Sequence, residues 1–169
     1  MTSDLSSPFS SVCSRPMHVL EKAVYRGPNL YGHLPMIRFQ LDPGDLEAWP
    51  TDRLPGFTDR LLMVLPGLRQ HGCCFRTPGG FTRRLVEGTR LGHVTEHVAI
   101  EMQSLAGSPV IRGKTRSVKG REGVYNVMYH YREAEVGLLV GRLALQLVDS
   151  LLPTDPRYYS RSDWMLTRE

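Results

Sequence analysis

The chain has 169 residues, of which 41% are hydrophobic and 22% charged, with a formal net charge of +4 and three cysteines. That composition suits one globular domain with a full core. It excludes a disulfide-stapled miniprotein and a low-hydrophobicity disordered chain, and no apolar run approaches membrane-spanning length. The modest positive excess favours acidic partners, but it falls short of the dense basic stripe of a nucleic-acid binder.

Residues 1–16 are polar, punctuated by Pro and Ser, and lack the apolar stretch of a signal peptide, so they read as a disordered leader. An odd cysteine count with one adjacent pair (Cys13, Cys73, Cys74) reads as reduced thiols, which places the expected location in the cytoplasm. His18–Tyr25 alternates as a first strand, Arg26-Gly-Pro-Asn29 forms a turn, and Pro35–Leu41 alternates again from Met36 or Ile37. These two strands are expected to pair antiparallel. Asp42-Pro-Gly-Asp45 caps a short helical turn, and Pro50–Pro55 reads as loop. Phe57–Arg69 is near-helical with a ragged end at Pro66-Gly67. After Thr77-Pro-Gly-Gly80 one long central helix is expected, from Phe81 to Leu105, ending at Gly107-Ser-Pro109.

Val110–Ser117 and Val124–Tyr131 form a second strand pair around the basic loop Lys119–Gly123. Glu133–Leu151 is an apolar helix with Gly137, Gly141 and Ala144 for close packing. A domain over 17–152 and a polar tail over 153–169 complete the organisation. The ββα–ββα pattern predicts an α+β two-layer sandwich, a mostly antiparallel sheet with helices on one face.

The chemistry concentrates in His93-Val-Thr-Glu-His97. Helical residues four apart lie about 40° apart around the axis, so His93 and His97 can grip one metal ion. Glu96 flanks the pair where a carboxylate can act as general base, an HExxH motif in reversed order. On the helical wheel Leu91, Val94, Val98, Met102 and Leu105 form the stripe facing the sheet. Val86 and Ile100 flank the His pair on its other side. The alternative is two core-edge histidines satisfied by backbone or carboxylates. A zinc site needs a third protein ligand, and the candidates are Glu135, Glu133, His130, Cys73, Cys74 and Glu101. Lys114, Arg116 or Arg112 are candidates for stabilising the oxyanion of a tetrahedral intermediate.

Thr77-Pro-Gly-Gly80 reads as a helix-entry turn in preference to an anion cradle, and no Gly-Lys-Ser/Thr follows to make it a P-loop. Arg83, Arg84 and Arg90 are candidates for binding substrate carboxylates or for solvating their helix. The hairpin cations Lys114, Arg116, Lys119 and Arg121 lack the interleaved aromatics of a single-strand platform. Cys73-Cys74 lacks the CxxC spacing of a redox pair.

Nine motifs occur in order: Arg26-Gly-Pro-Asn29, Pro55-Gly-Phe57, Gly79-Gly-Phe81, Glu87-Gly-Thr89, Gly92-His-Val-Thr-Glu-His97, Leu105-Ala-Gly107, Lys114-Thr-Arg116, Gly123-Val-Tyr-Asn-Val127 and Gly141-Arg142. Together they resemble the N-terminal domain of cyanophycin synthetase over residues 18–152. In that family the domain precedes ATP-grasp and Mur-ligase-like domains that build a polymer with an Asp backbone and Arg side chains. Some members carry a metal-dependent hydrolytic site on the HxxEH helix that cuts the polymer into primers. Carried onto this chain, the resemblance implies His93 and His97 as ligands of zinc or another divalent metal, Glu96 as base, and Glu135 as the downstream glutamate ligand. Lys114 stands where synthetases have Arg, and Arg116 matches directly. His130 and the cysteine-rich stretch before Gly79 depart from the family pattern.

The synthetase motifs do not follow, so polymerisation by this chain alone is not expected, and the leader and tail favour a stand-alone relative. The implied reading is a zinc peptidase-like hydrolase acting on cyanophycin or a related Asp/Arg peptide. Arg83, Arg90 and Arg112 would read carboxylates, and Glu101 and Glu133 guanidinium groups. The alternative is a non-catalytic module that binds polymer or docks on a cyanophycin synthetase, or a homo-oligomer of such modules.

Overall fold

A computed structural model describes residues 17–110 and 112–153. The expected leader over 1–16 and all of the expected tail except Pro153 lie outside these residues. The elements run β1 (His18–Tyr25), β2 (Met36–Asp42), α1 (Phe57–Val64), α2 (Gly80–Glu87), α3 (Leu91–Leu105), β3 (Gly113–Val118), β4 (Arg121–His130) and α4 (Ala134–Ser150). Short 3-10 turns punctuate the segments between β2 and α2, including one at Thr51–Arg53 inside the expected loop.

The four strands form an antiparallel sheet in the order β1-β2-β4-β3. This is the expected α+β arrangement, and the first strand pair forms as the alternation predicts. Directly opposed residues share a face, so Ile37, Phe39 and Leu41 align with Tyr129, Val127 and Tyr125. This face carries the core, packing with Val94 and Val98 of α3 and Ala144 and Val148 of α4. The described helix α4 sits close because its small residues leave room. Tyr129 Oη donates to the Gly137 carbonyl at 2.9 Å, and a side chain at position 141 would run into Tyr129 Oη and the Phe39 ring. No helix among the described residues is long and apolar enough to cross a membrane.

Three expectations are corrected. The long helix over 81–105 is two helices, because Gly88 adopts φ 99°, ψ 122° and Arg90 is extended. A β-carbon at position 88 would also strike the Asp52 carboxylate, so glycine is required there on both counts. The break removes Val86 from the flank of the His pair and leaves it exposed, and Leu105 at the end of α3 is exposed as well. Gln103 is the buried residue there, its amide donating to the His130 carbonyl at 3.1 Å. In the second hairpin β4 begins at Arg121, so the connection shrinks to Lys119-Gly120, with Gly120 at φ 77°.

Candidate metal centre

The segment from His71 to Gly80 folds over the first turns of α3 because of its glycines. The Gly80 amide donates to the Thr77 carbonyl at 3.0 Å and the Phe81 amide to the His71 carbonyl at 2.9 Å. Gly79 takes φ 82° as the N-cap of α2, so Thr77-Pro-Gly-Gly80 is a helix-entry turn. Phe81, fully buried, stacks on the His97 ring with centroids 3.9 Å apart and meets His93 edge-on at 5.8 Å. One apolar ring therefore covers a side of both imidazoles.

Three ligand atoms, from Cys73, His93 and His97, lie within 4.8 Å of one another. Adjacent donors around a tetrahedral zinc ion stand about 3.3–3.8 Å apart, given its ~2.0–2.3 Å bonds. The Cys73 Sγ to His93 Nε2 separation of 3.4 Å already falls in that range. One thiol and two imidazoles make a soft, nitrogen-rich donor set that fits zinc. Burial lowers the pKa of His93 to about 4, with help from the nearby Arg84 charge. It lowers that of His97 to about 2, with His93 and His71 adding to the effect. Both rings are thus neutral at physiological pH with lone pairs available. Burial raises the Cys73 thiol to about 11, so a cation binding here must displace a proton.

The outer partners decide which nitrogens are free. His93 Nδ1 meets Thr89 Oγ1 at 2.8 Å, which leaves Nε2 pointing at Cys73. Glu101 Oε2 stands 3.0 Å from His71 Nε2, and His71 Nδ1 stands 2.9 Å from His97 Nδ1. A carboxylate only accepts, so His71 Nε2 donates to Glu101; when that is the only ring proton of His71, its Nδ1 accepts from His97 Nδ1–H. The chain assigns the His97 lone pair to Nε2. A carboxylate–histidine chain of this kind would orient His97 toward a bound cation, here through one further ring.

Glu96 is buried, and Thr115 Oγ1 donates to its Oε2 at 2.6 Å. Burial raises its pKa to about 7, opposed by the Thr115 hydrogen bond. That value suits a general base or acid working near neutrality. Gly113 makes room for it, since a β-carbon there would sit 2.7 Å from Glu96 Oε1.

A cleft of about 960 Å³ opens over these groups. It is lined by His71, Cys73, Cys74, Thr89, His93, Glu96, His97 and Thr115, with Arg76, Arg84, Arg90, Arg112 and Lys114 among its cations. Several expected residues lie elsewhere. Arg83 pairs with Glu87 at 2.6 Å and lies over the Phe75 ring, outside the cleft. Strand alternation puts Thr115 on the helix-covered face, so Lys114 and Arg116 stand on the opposite face. Lys114 still borders the cleft at the sheet edge, whereas Arg116 does not line it. Glu101 is committed to His71 and does not line the cleft. Glu135, in the first turn of α4, lines a separate hollow with Lys22, Phe39 and Arg142, so the structure does not bring it to the His pair. Glu133 is the exposed N-cap of α4, and His130 shares its face with Met36 on the far side of the sheet.

His71, Thr89 and Thr115 carry no signal in the sequence that marks them as partners of the site. They are distant from one another in the chain and of types that serve many roles. His71 is the exception in part, since its adjacency to the cysteine pair could have flagged it.

The family model described as the cyanophycin synthase-like N-terminal domain matches residues 37–153. The chain is 39% identical over 140 residues to the cyanophycin synthetase of Geminocystis herdmanii (strain PCC 6308). It is 40% identical over 140 residues to those of Crocosphaera subtropica (strain ATCC 51142 / BH68) and Synechocystis sp. (strain ATCC 27184 / PCC 6803 / Kazusa). Each match covers 82% of this chain but only 16% of the relative. With most of its length matched by the family model and a substantial identity to these synthetases, the chain belongs to the cyanophycin synthase-like N-terminal domain family.

Proposed function

We propose that this domain is a divalent-metal-dependent hydrolase that cuts an amide bond in cyanophycin or a related Asp/Arg polypeptide, generating short chains that prime polymerisation. The observation that supports it most is one cleft holding three soft metal donors beside a buried carboxylate whose pKa lies near 7. Cys73, His93 and His97 would hold the ion, in preference to Glu135, and zinc is the best chemical match. A cation there supplies Lewis acidity for carbonyl polarisation and water activation. Glu96 accepts the proton of the attacking water and returns it to the leaving nitrogen. Thr115 fixes one of its carboxylate oxygens for that task. Phe81, stacked on His97, shields one side of the imidazoles from water. The cationic rim would meet the carboxylates of the polymer at the cleft.

The test combines metal analysis of the purified protein with cleavage of cyanophycin by wild type and Glu96→Gln. Stoichiometric zinc, cleavage by wild type, and a loss of about 10²–10⁴-fold in the variant are expected. Polymer binding with neither metal nor cleavage would refute the hydrolase and leave a polymer-holding module.

A further inference from the structure

The charged groups around the cleft are unequal in sign and in occupation. Arg76, Arg84, Arg90, Arg112 and Lys114 line it, and Glu96 is the only carboxylate among the lining residues. The nearby acids are already engaged. Glu101 holds His71, and Glu47 takes Arg90 in an ion pair as well as the Tyr125 hydroxyl. Among the described residues, no carboxylate apart from Glu96 is free to meet a substrate guanidinium within the cleft.

Among the cations Arg84 stands apart. It follows Arg83 on α2, but Arg83 turns outward to Glu87 while Arg84 turns into the cleft. Its Nε is buried without a hydrogen-bond partner, and its guanidinium enters no ion pair among the described residues. Its charge acts on His93, so it lies close to the donor trio. A buried, unsatisfied guanidinium N–H is costly unless something fills its place. The planar fork of Arg suits a carboxylate better than any other common group.

We infer that Arg84 is the specificity-determining residue that receives a substrate carboxylate, and that the cleft reads the acidic groups of an Asp/Arg peptide while its guanidinium groups face outward. The inference rests on the substrate class of the proposed function but not on turnover. In a polymer with arginine on each aspartate side chain, the arginine α-carboxylate lies near the backbone amides. Arg84 would anchor that group beside the donor trio.

Binding of short peptides to full-length Glu96→Gln protein, measured by calorimetry, tests it. The probes are an aspartate-backbone peptide bearing arginine on every side chain, the same peptide with the arginine carboxylates amidated, and one with citrulline replacing arginine. Amidation is expected to weaken binding roughly ten- to hundredfold, the span for losing one charge-assisted pair. Citrulline should change it less than about twofold. Adding Arg84→Gln should weaken the parent peptide as much as amidation does and erase the difference between the two peptides. Arg84→Lys, which keeps the charge but loses the fork, should recover part of it. Discrimination that survives Arg84→Gln, a large loss with citrulline, or no binding of the parent peptide would overturn the inference. Binding as expected by a protein that never cleaves would overturn the hydrolase alone.

Discussion

Glu101→Gln isolates the outermost link of the His71–His97 chain. The substituted atom stands two rings away from the donor trio, and the Glu101 and His71 side chains are only 13% and 16% exposed. Water is therefore a poor replacement for the lost carboxylate. An amide oxygen still accepts from His71 Nε2, so the fold keeps a hydrogen bond and its stability should change by less than about 1 kcal/mol. What disappears is the charge that makes His71 a strong acceptor for His97 Nδ1–H and so raises the basicity of Nε2. Outer partners of this kind contribute about 10- to 100-fold to metal affinity. The retained amide contact puts this variant near the lower end, about tenfold or 1.4 kcal/mol. Competition with a chromophoric chelator measures it directly, with thermal melts of the metal-free protein as the stability control. A zinc affinity unchanged within about twofold, with folding intact, would refute the assignment of His97 Nε2 through this chain.

Gly113→Ala should displace the Glu96 carboxylate without touching a metal donor. The new methyl would sit 2.7 Å from Oε1 and 2.9 Å from Cδ. Zinc stoichiometry should persist while cleavage falls about 10²–10⁴-fold, and full cleavage in a folded variant would show that Glu96 is not the base. Gly141→Ala tests the close seat of α4 on the sheet. Its methyl runs into the Tyr129 hydroxyl and the Phe39 ring, which should cost about 1–3 kcal/mol and lower the melting temperature by several degrees. A melting temperature equal to wild type would mean that the helix can shift freely.

Local sequence carried the strands and the motif because their signals repeat over short distances. Alternation over His18–Tyr25 and Met36–Leu41 gave the first hairpin, and the i, i+4 spacing put His93 and His97 on one face of a helix. One glycine was enough to mislead. Gly88 sits inside an apolar pattern that continues across it, and only the clash of a β-carbon with Asp52, 36 residues earlier in the chain, reveals why the helix must stop there. The choice among acidic and sulfur donors was likewise beyond local reading, since Glu133, Glu135 and Cys73 are equally plausible as residue types. Tertiary packing separates these residues in space. The turn at Thr77–Gly80 lays Cys73 and His71 over α3, while the first turn of α4 carries Glu135 to another hollow. The sequence by itself determined the α+β class, the His pair and the carboxylate beside it. Only the tertiary structure brought Cys73 to that pair, set Glu101 against His71 and left Arg84 unpaired, because each depends on contacts between segments whose separation in the chain leaves no periodic trace.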